Sequence, residues 1–152
     1  MIGLALALPL RGQGPRFEIY DHATGTVAYE RPVAEGATIT LEHVHSVTKR
    51  PVRETFSVHD ANTIALEELW FDAFGPNLPA GPEQTGDTTT TFIREDGGFR
   101  VLHHSKPIGV VPVRVGSPDV DHTVIFEDGS AVRLLDVAAR GAHVDLRVRD
   151  PR

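Results

Sequence analysis

Residues 37–58 read ATITLEHVHSVTKRPVRETFSV. In an extended strand, side chains two apart share a face. Ile39, Leu41, His43, His45 and Val47 therefore point one way, and Thr40, Glu42, Val44 and Ser46 the other. After Thr48, Lys49, Arg50 and Pro51 a second alternating row follows: Val52, Glu54, Phe56 and Val58 against Arg53, Thr55 and Ser57. A period of two on both sides of a polar, proline-containing break predicts two antiparallel strands, not a helix.

The same rhythm runs through the rest of the chain. Strands are predicted at 17–21, 27–31, 37–47, 52–58, 63–71, 88–94, 99–103, 109–115, 122–126, 131–136 and 143–149, with a short helix competing at 134–139. Asp128-Gly129 lies between two apolar stretches and is a strong hairpin signal, and Asp96-Gly97-Gly98 is a looser one. Roughly ten short strands joined in this way predict an all-β chain, an antiparallel β-sandwich or flattened barrel over residues 16–150. The segment 72–87 is long, irregular and rich in Gly and Pro, a type of loop that usually carries function.

Composition narrows the function classes. The chain has 152 residues, and a domain of that size buries about 70 % of its unfolded surface, enough to fold without staples. It has no cysteine, which removes thiol nucleophiles, cysteine-bound metal and disulfides together. The formal charge is −6 and the basic residues are scattered, so the footprint of a phosphate backbone is missing and nucleic acid is not an expected partner. Residues 1–10, MIGLALALPL, give only the apolar part of an export signal or anchor. Residues 1–15 are read either as the remnant of such a signal or as a frayed N-terminus.

The inward rows carry polar groups. If residues 48–51 form a four-residue connection, Val47 pairs with Val52, His45 lies opposite Glu54 and His43 opposite Phe56. Opposed side chains have Cβ atoms about 4.5–5.5 Å apart, so imidazole and carboxylate would meet. A carboxylate on an apolar row needs such a partner, and Glu54→Ala is then expected to destabilise more than loss of a surface carboxylate. The pair reads either as a buried structural bridge or as a binding or catalytic dyad. Ser46 falls on the other face, which disfavours a Ser–His–Glu triad. The His43-x-His45 spacing suits a metal, with Glu54, Asp121 or His122 as a third ligand, but eight histidines make chance pairs common.

Several stretches together resemble the domain-of-unknown-function 1850 family: His45-Ser46-Val47, Pro51-Val52 with Glu54-x-Phe56, Gly75-x-x-Leu78-Pro79, Arg114-Val115-Gly116-Ser117 and Asp121-His122. The resemblance spans about residues 17–148. It implies a small exported or membrane-tethered protein encoded beside TAXI-type tripartite ATP-independent periplasmic (TRAP) transporters, with no assigned reaction. It also implies an extracytoplasmic setting, a TRAP permease or solute-binding protein as partner, and His45, Ser46, Glu54, Arg114 and His122 as the shared site residues. Two departures stand out. His43 replaces a usual aromatic residue, which argues against a shared metal site, and the loop reads Gly75-Pro76-Asn77-Leu78-Pro79 where the family has Gly-small-Gly-Leu-Pro. Asn tolerates positive φ, so the turn survives the exchange.

Arg114 shares its strand face with Ile108, Val110 and Pro112, opposite an all-valine face, which places it outward or at an edge; His122 aligns inward with Val124 and Phe126. The sharper expectation brings His45, Glu54, Arg114 and His122 together at one sandwich end beneath the 72–87 loop, where Arg114 would clamp a small anion. The function expected is a non-enzymatic, extracytoplasmic accessory domain of a TAXI-type TRAP transporter. A small metal- or His/Glu-dependent hydrolase and a small-anion-binding module are the alternatives.

Overall fold

Short β-branched and aromatic stretches punctuated by glycine form thirteen strands and one helical turn in residues 14–152, the part of the chain that this computed structural model describes. They are β1 (Arg16–Asp21), β2 (Thr26–Pro32), β3 (Thr38–Val44), β4 (Pro51–Asp60), β5 (Thr63–Phe71), β6 (Gln84–Thr85), β7 (Thr88–Thr89), β8 (Thr91–Glu95), β9 (Gly98–Gly109), β10 (Val111–Arg114), β11 (Thr123–Phe126), β12 (Ala131–Arg133), α1 (Leu134–Val137) and β13 (His143–Arg149). The apolar stretch 1–10 lies outside the described residues, as do residues 11–13.

Every strand pairing is antiparallel. One sheet has the order β10-β13-β1-β2, the other β12-β11-β3-β4-β5-β9-β8, and β6-β7 is a separate small hairpin. Neither large sheet closes on itself, so the architecture is a sandwich with four edges and not a barrel. Phe17, Ile19, Val144, Leu146 and Val148 of the smaller sheet face Ile39, Leu41, Phe56, Val58 and Val124 of the larger, all nearly or fully buried. At about 1.5–3 kcal/mol for each fully buried aliphatic or aromatic side chain, this face-to-face core dominates the folding free energy.

The larger sheet has inner surface that this main core does not use. Val52, Phe71 and Val101 form a second buried cluster, with Leu69, Phe92 and Phe99 around it. Leu78, from the segment that follows β5, packs on the same cluster. An irregular segment thus covers an apolar surface that otherwise would meet water.

Several boundaries depart from the sequence expectations. Residues 131–136 split into β12 and α1, because Leu134 turns into the core, where it is fully buried, and Ala138 N–H closes the turn on the Leu134 carbonyl. At Asp128-Gly129 only Gly129 takes a positive φ, and Gly129 N–H and Ser130 O both bond to Phe126, as in a three-residue loop ending in a left-handed residue. β9 continues past His103 through a bulge in which His103, His104 and Ser105 lie opposite the single residue Glu67. His104 and Ser105 have φ of 58° and 55° there, and the Glu67 carboxylate accepts from Ser57 and Ser105.

The largest correction concerns the β3–β4 hairpin. The register pairs Val44 with Pro51, His43 with Val52 and Leu41 with Glu54. β3 therefore ends three residues earlier than expected, the connection is six residues long, and His45 is not opposite Glu54. The cause is local. Val47 and Thr48 N–H both donate to His45 Nδ1, at 3.1 and 3.3 Å, and Lys49 adopts φ 60°. A side chain that bonds its own following backbone competes with the strand ladder. Here it wins, and His45 N–H closes the turn on the Arg50 carbonyl.

Candidate functional site

Three connections meet at the sheet end that carries the C-terminus of β3. They are the 45–50 turn, the 72–83 segment after β5, and the 115–122 connection before β11. The first two are joined by His45, whose Nε2–H donates to the Pro76 carbonyl at 2.9 Å. Gly75 sits so close to the turn that a Cβ there would lie 2.6 Å from Thr48 Cγ2. Asn77 takes φ 65°, the left-handed geometry its side chain tolerates, and Leu78 N–H returns to the Gly75 carbonyl. Arg50 pairs with Asp72 across the same junction.

The third connection is joined from the other side. Val44 N–H donates to the Val120 carbonyl, and Gly116 N–H donates to His122 Nδ1 at 3.3 Å. The His43 and His122 rings lie 4.9 Å apart, centre to centre, at 34°. A Cβ at Gly116 would meet Val120 at 2.8 Å, so the loop closes tightly over the imidazole.

Burial sets the charge state of this inner row. Desolvation, then the neighbouring His122 and His45, pull the His43 imidazole down to about 4. Desolvation also lowers His122, against a smaller opposing effect from Asp121. Both rings are neutral near pH 7. His43 Nδ1 is buried without a hydrogen-bond partner among the described residues. Glu54 is on the inner face as expected, between Val52 and Phe56 along β4 and between Leu41 and Leu69 across the sheet. Burial alone holds its carboxyl above the ordinary carboxylate range, and no partner among the described residues offsets it.

The expected convergence is met in part. His45 and His122 belong to the same end, but His45 spends both ring nitrogens on backbone groups. Ser46 is exposed in the turn. Arg114 is exposed on the outer face of the smaller sheet, opposite His143, and does not point toward Glu54, His43, His45 or His122, because Val113 and Val115 take the inward positions. His43 and His122 form the close pair; the sequence offered His122 only as one of three candidates beside His43 and His45, and β11 packing beside β3 sets it against His43. No group of three or more His, Asp or Glu side chains converges as metal ligands among the described residues.

The end also presents apolar surface. Val47 is 65 % exposed and Phe74 45 % exposed, one on each of the two connections that His45 joins. Phe74 rests on Phe99 with ring centres 4.3 Å apart, under the Arg94 guanidinium.

The family model described as a domain of unknown function (DUF1850) matches residues 39–132, more than half of the chain. The chain belongs to the DUF1850 family. The DUF1850 match runs from β3 into β12, so it includes nearly all of the larger sheet and all three connections of the candidate site. β1, β2 and β13 lie outside it and supply most of the opposing sheet. No curated protein and no solved structure matches the chain.

Proposed function

We propose that the chain is a non-enzymatic, extracytoplasmic accessory domain of a TAXI-type TRAP solute transporter, and that it docks on the permease or its solute-binding partner through the sheet end described above. The observation that carries this reading is the position of Val47 and Phe74. Two of the large apolar side chains left exposed among the described residues lie on the two connections that a hydrogen bond and a close glycine contact fix together. Exposed aromatic and aliphatic anchors on a fixed frame are the usual core of a protein interface.

The chemistry of the histidines supports binding over hydrolysis. A general base needs a free lone pair beside a nucleophile, whereas His45 Nδ1 is occupied by two amides and Ser46 makes no bond to that ring. The stretches that carry the DUF1850 resemblance, around His45, Gly75 and Gly116 to His122, are the ones that form this end.

Purification of the tagged protein from solubilised membranes of its native host tests the reading. Wild type is expected to enrich a TRAP permease or solute-binding subunit. The Val47→Asp/Phe74→Asp variant, with an unchanged melting temperature, is expected to lose about tenfold or more of that enrichment. Absence of both subunits from the wild-type eluate, or equal recovery with the folded variant, contradicts the proposal.

A further inference from the structure

We infer that residues 72–83 form a strap latched to the sheet end by the neutral His45 imidazole, and that protonation of this ring releases it. Between residues 73 and 82 the His45–Pro76 bond is the one hydrogen bond that the rest of the described protein makes to the strap's backbone. The strap pairs with no strand there, so its position depends on this bond, on Leu78 against the Val52, Phe71 and Val101 cluster, on the buried Pro79, on Phe74 against Phe99, and on the Arg50–Asp72 pair. Arg50 is well exposed but grips Asp72 through two nitrogens, so this pair holds the start of the strap and not its middle.

The latch works in one protonation state only. Nδ1 accepts from two backbone amides, so it must be bare, and Nε2 donates to a carbonyl, so it must carry the proton. A second proton can go only to Nδ1, where it would face the Val47 and Thr48 N–H groups. Two attractive contacts become repulsive, and the turn has to open. Gly75 is seated directly on Thr48, so the turn cannot rearrange without displacing the strap. The charged and titratable groups around the ring are Lys49 and Arg50 on the turn, His43 on β3 with His122 behind it, and Asp72 on the strap, already paired with Arg50. Among the described residues no carboxylate bonds the ring to hold a protonated latch in place. Release would uncover the smaller apolar cluster and separate Val47 from Phe74, and it follows from geometry that does not depend on which partner the end docks on.

Nuclear Overhauser contacts between the Thr48 methyl and the Gly75 α-protons report the latch, and the His45 Cε1–H shift reports the ring. In wild-type samples at about pH 7.5 and about pH 5 the contact is expected wherever the Cε1–H shift reports a neutral ring and is expected to be absent wherever it reports a protonated one, while β3–β4 cross-strand contacts persist. His45→Asn, whose side-chain oxygen can still accept from the turn amides but cannot reach Pro76, is expected to lack the contact at both pH values. His43→Phe is expected to keep the wild-type response, which separates the latch from the buried pair. The inference is overturned if the contact survives with a protonated ring, if folded His45→Asn retains it, or if β3 and β4 unfold before or together with the strap.

Discussion

His43→Phe is expected to remove a large part of the domain's acid lability above pH 4, widening its stability advantage over wild type by about 3 kcal/mol between neutral pH and pH 4. The sign follows from the lowered value of His43, about 4 against an ordinary 6.5. Within that window the unfolded chain binds a proton that the folded one refuses, so stability falls as pH falls, and the full penalty is in place below the folded value. Phenylalanine fills the same place between Val52 and the His122 ring and has no buried nitrogen left without a partner. His122 and His103, shifted in the same direction by burial, keep their share of the acid sensitivity in the variant. Urea titrations across the pH range measure the difference. Parallel curves for the two proteins would show that His43 is solvated in the folded state.

Glu54→Leu is expected to stabilise the domain by about 1–3 kcal/mol at neutral pH, because it replaces a carboxylate that has no partner among the described residues, between Leu41 and Leu69, with a side chain that matches the row. The pH dependence is opposite to that of His43. A carboxyl whose folded value is raised contributes stability below the ordinary carboxylate range and loses it as pH rises through the folded value. The gain from leucine therefore shrinks on acidification, whereas the gain from His43→Phe grows. Destabilisation by Glu54→Leu at neutral pH would mean that the carboxylate has a partner and that the sequence-based bridge is right in kind.

Alternation read the strands well where nothing competed with it. The spans 63–71 and 143–149 coincide with β5 and β13, and the inward placement of Glu54 and His122 and the outward placement of Arg114 all follow from a period of two. The hairpin register was not legible, because it depends on the His45 ring accepting from its own turn. No spacing rule distinguishes an imidazole that continues a strand from one that ends it. The His43–His122 contact was legible only as one of three options for a third ligand, because β11 pairs with β3 from about eighty positions away in sequence and only the sheet order makes them neighbours. Arg114 shows the limit of motif proximity. It sits one residue before a stretch that does reach the site, and alternation turns it to the other side of the sheet.

The account depends on a single imidazole that joins two connections through both of its nitrogens. Nitrogen-15 correlation of the His45 ring near pH 7.5 tests this most directly. A proton on Nε2 and a bare Nδ1, with an Overhauser contact from the ring Cε1–H to Gly75, is the predicted result. A ring protonated at Nδ1, or one with no contact to Gly75, would contradict it.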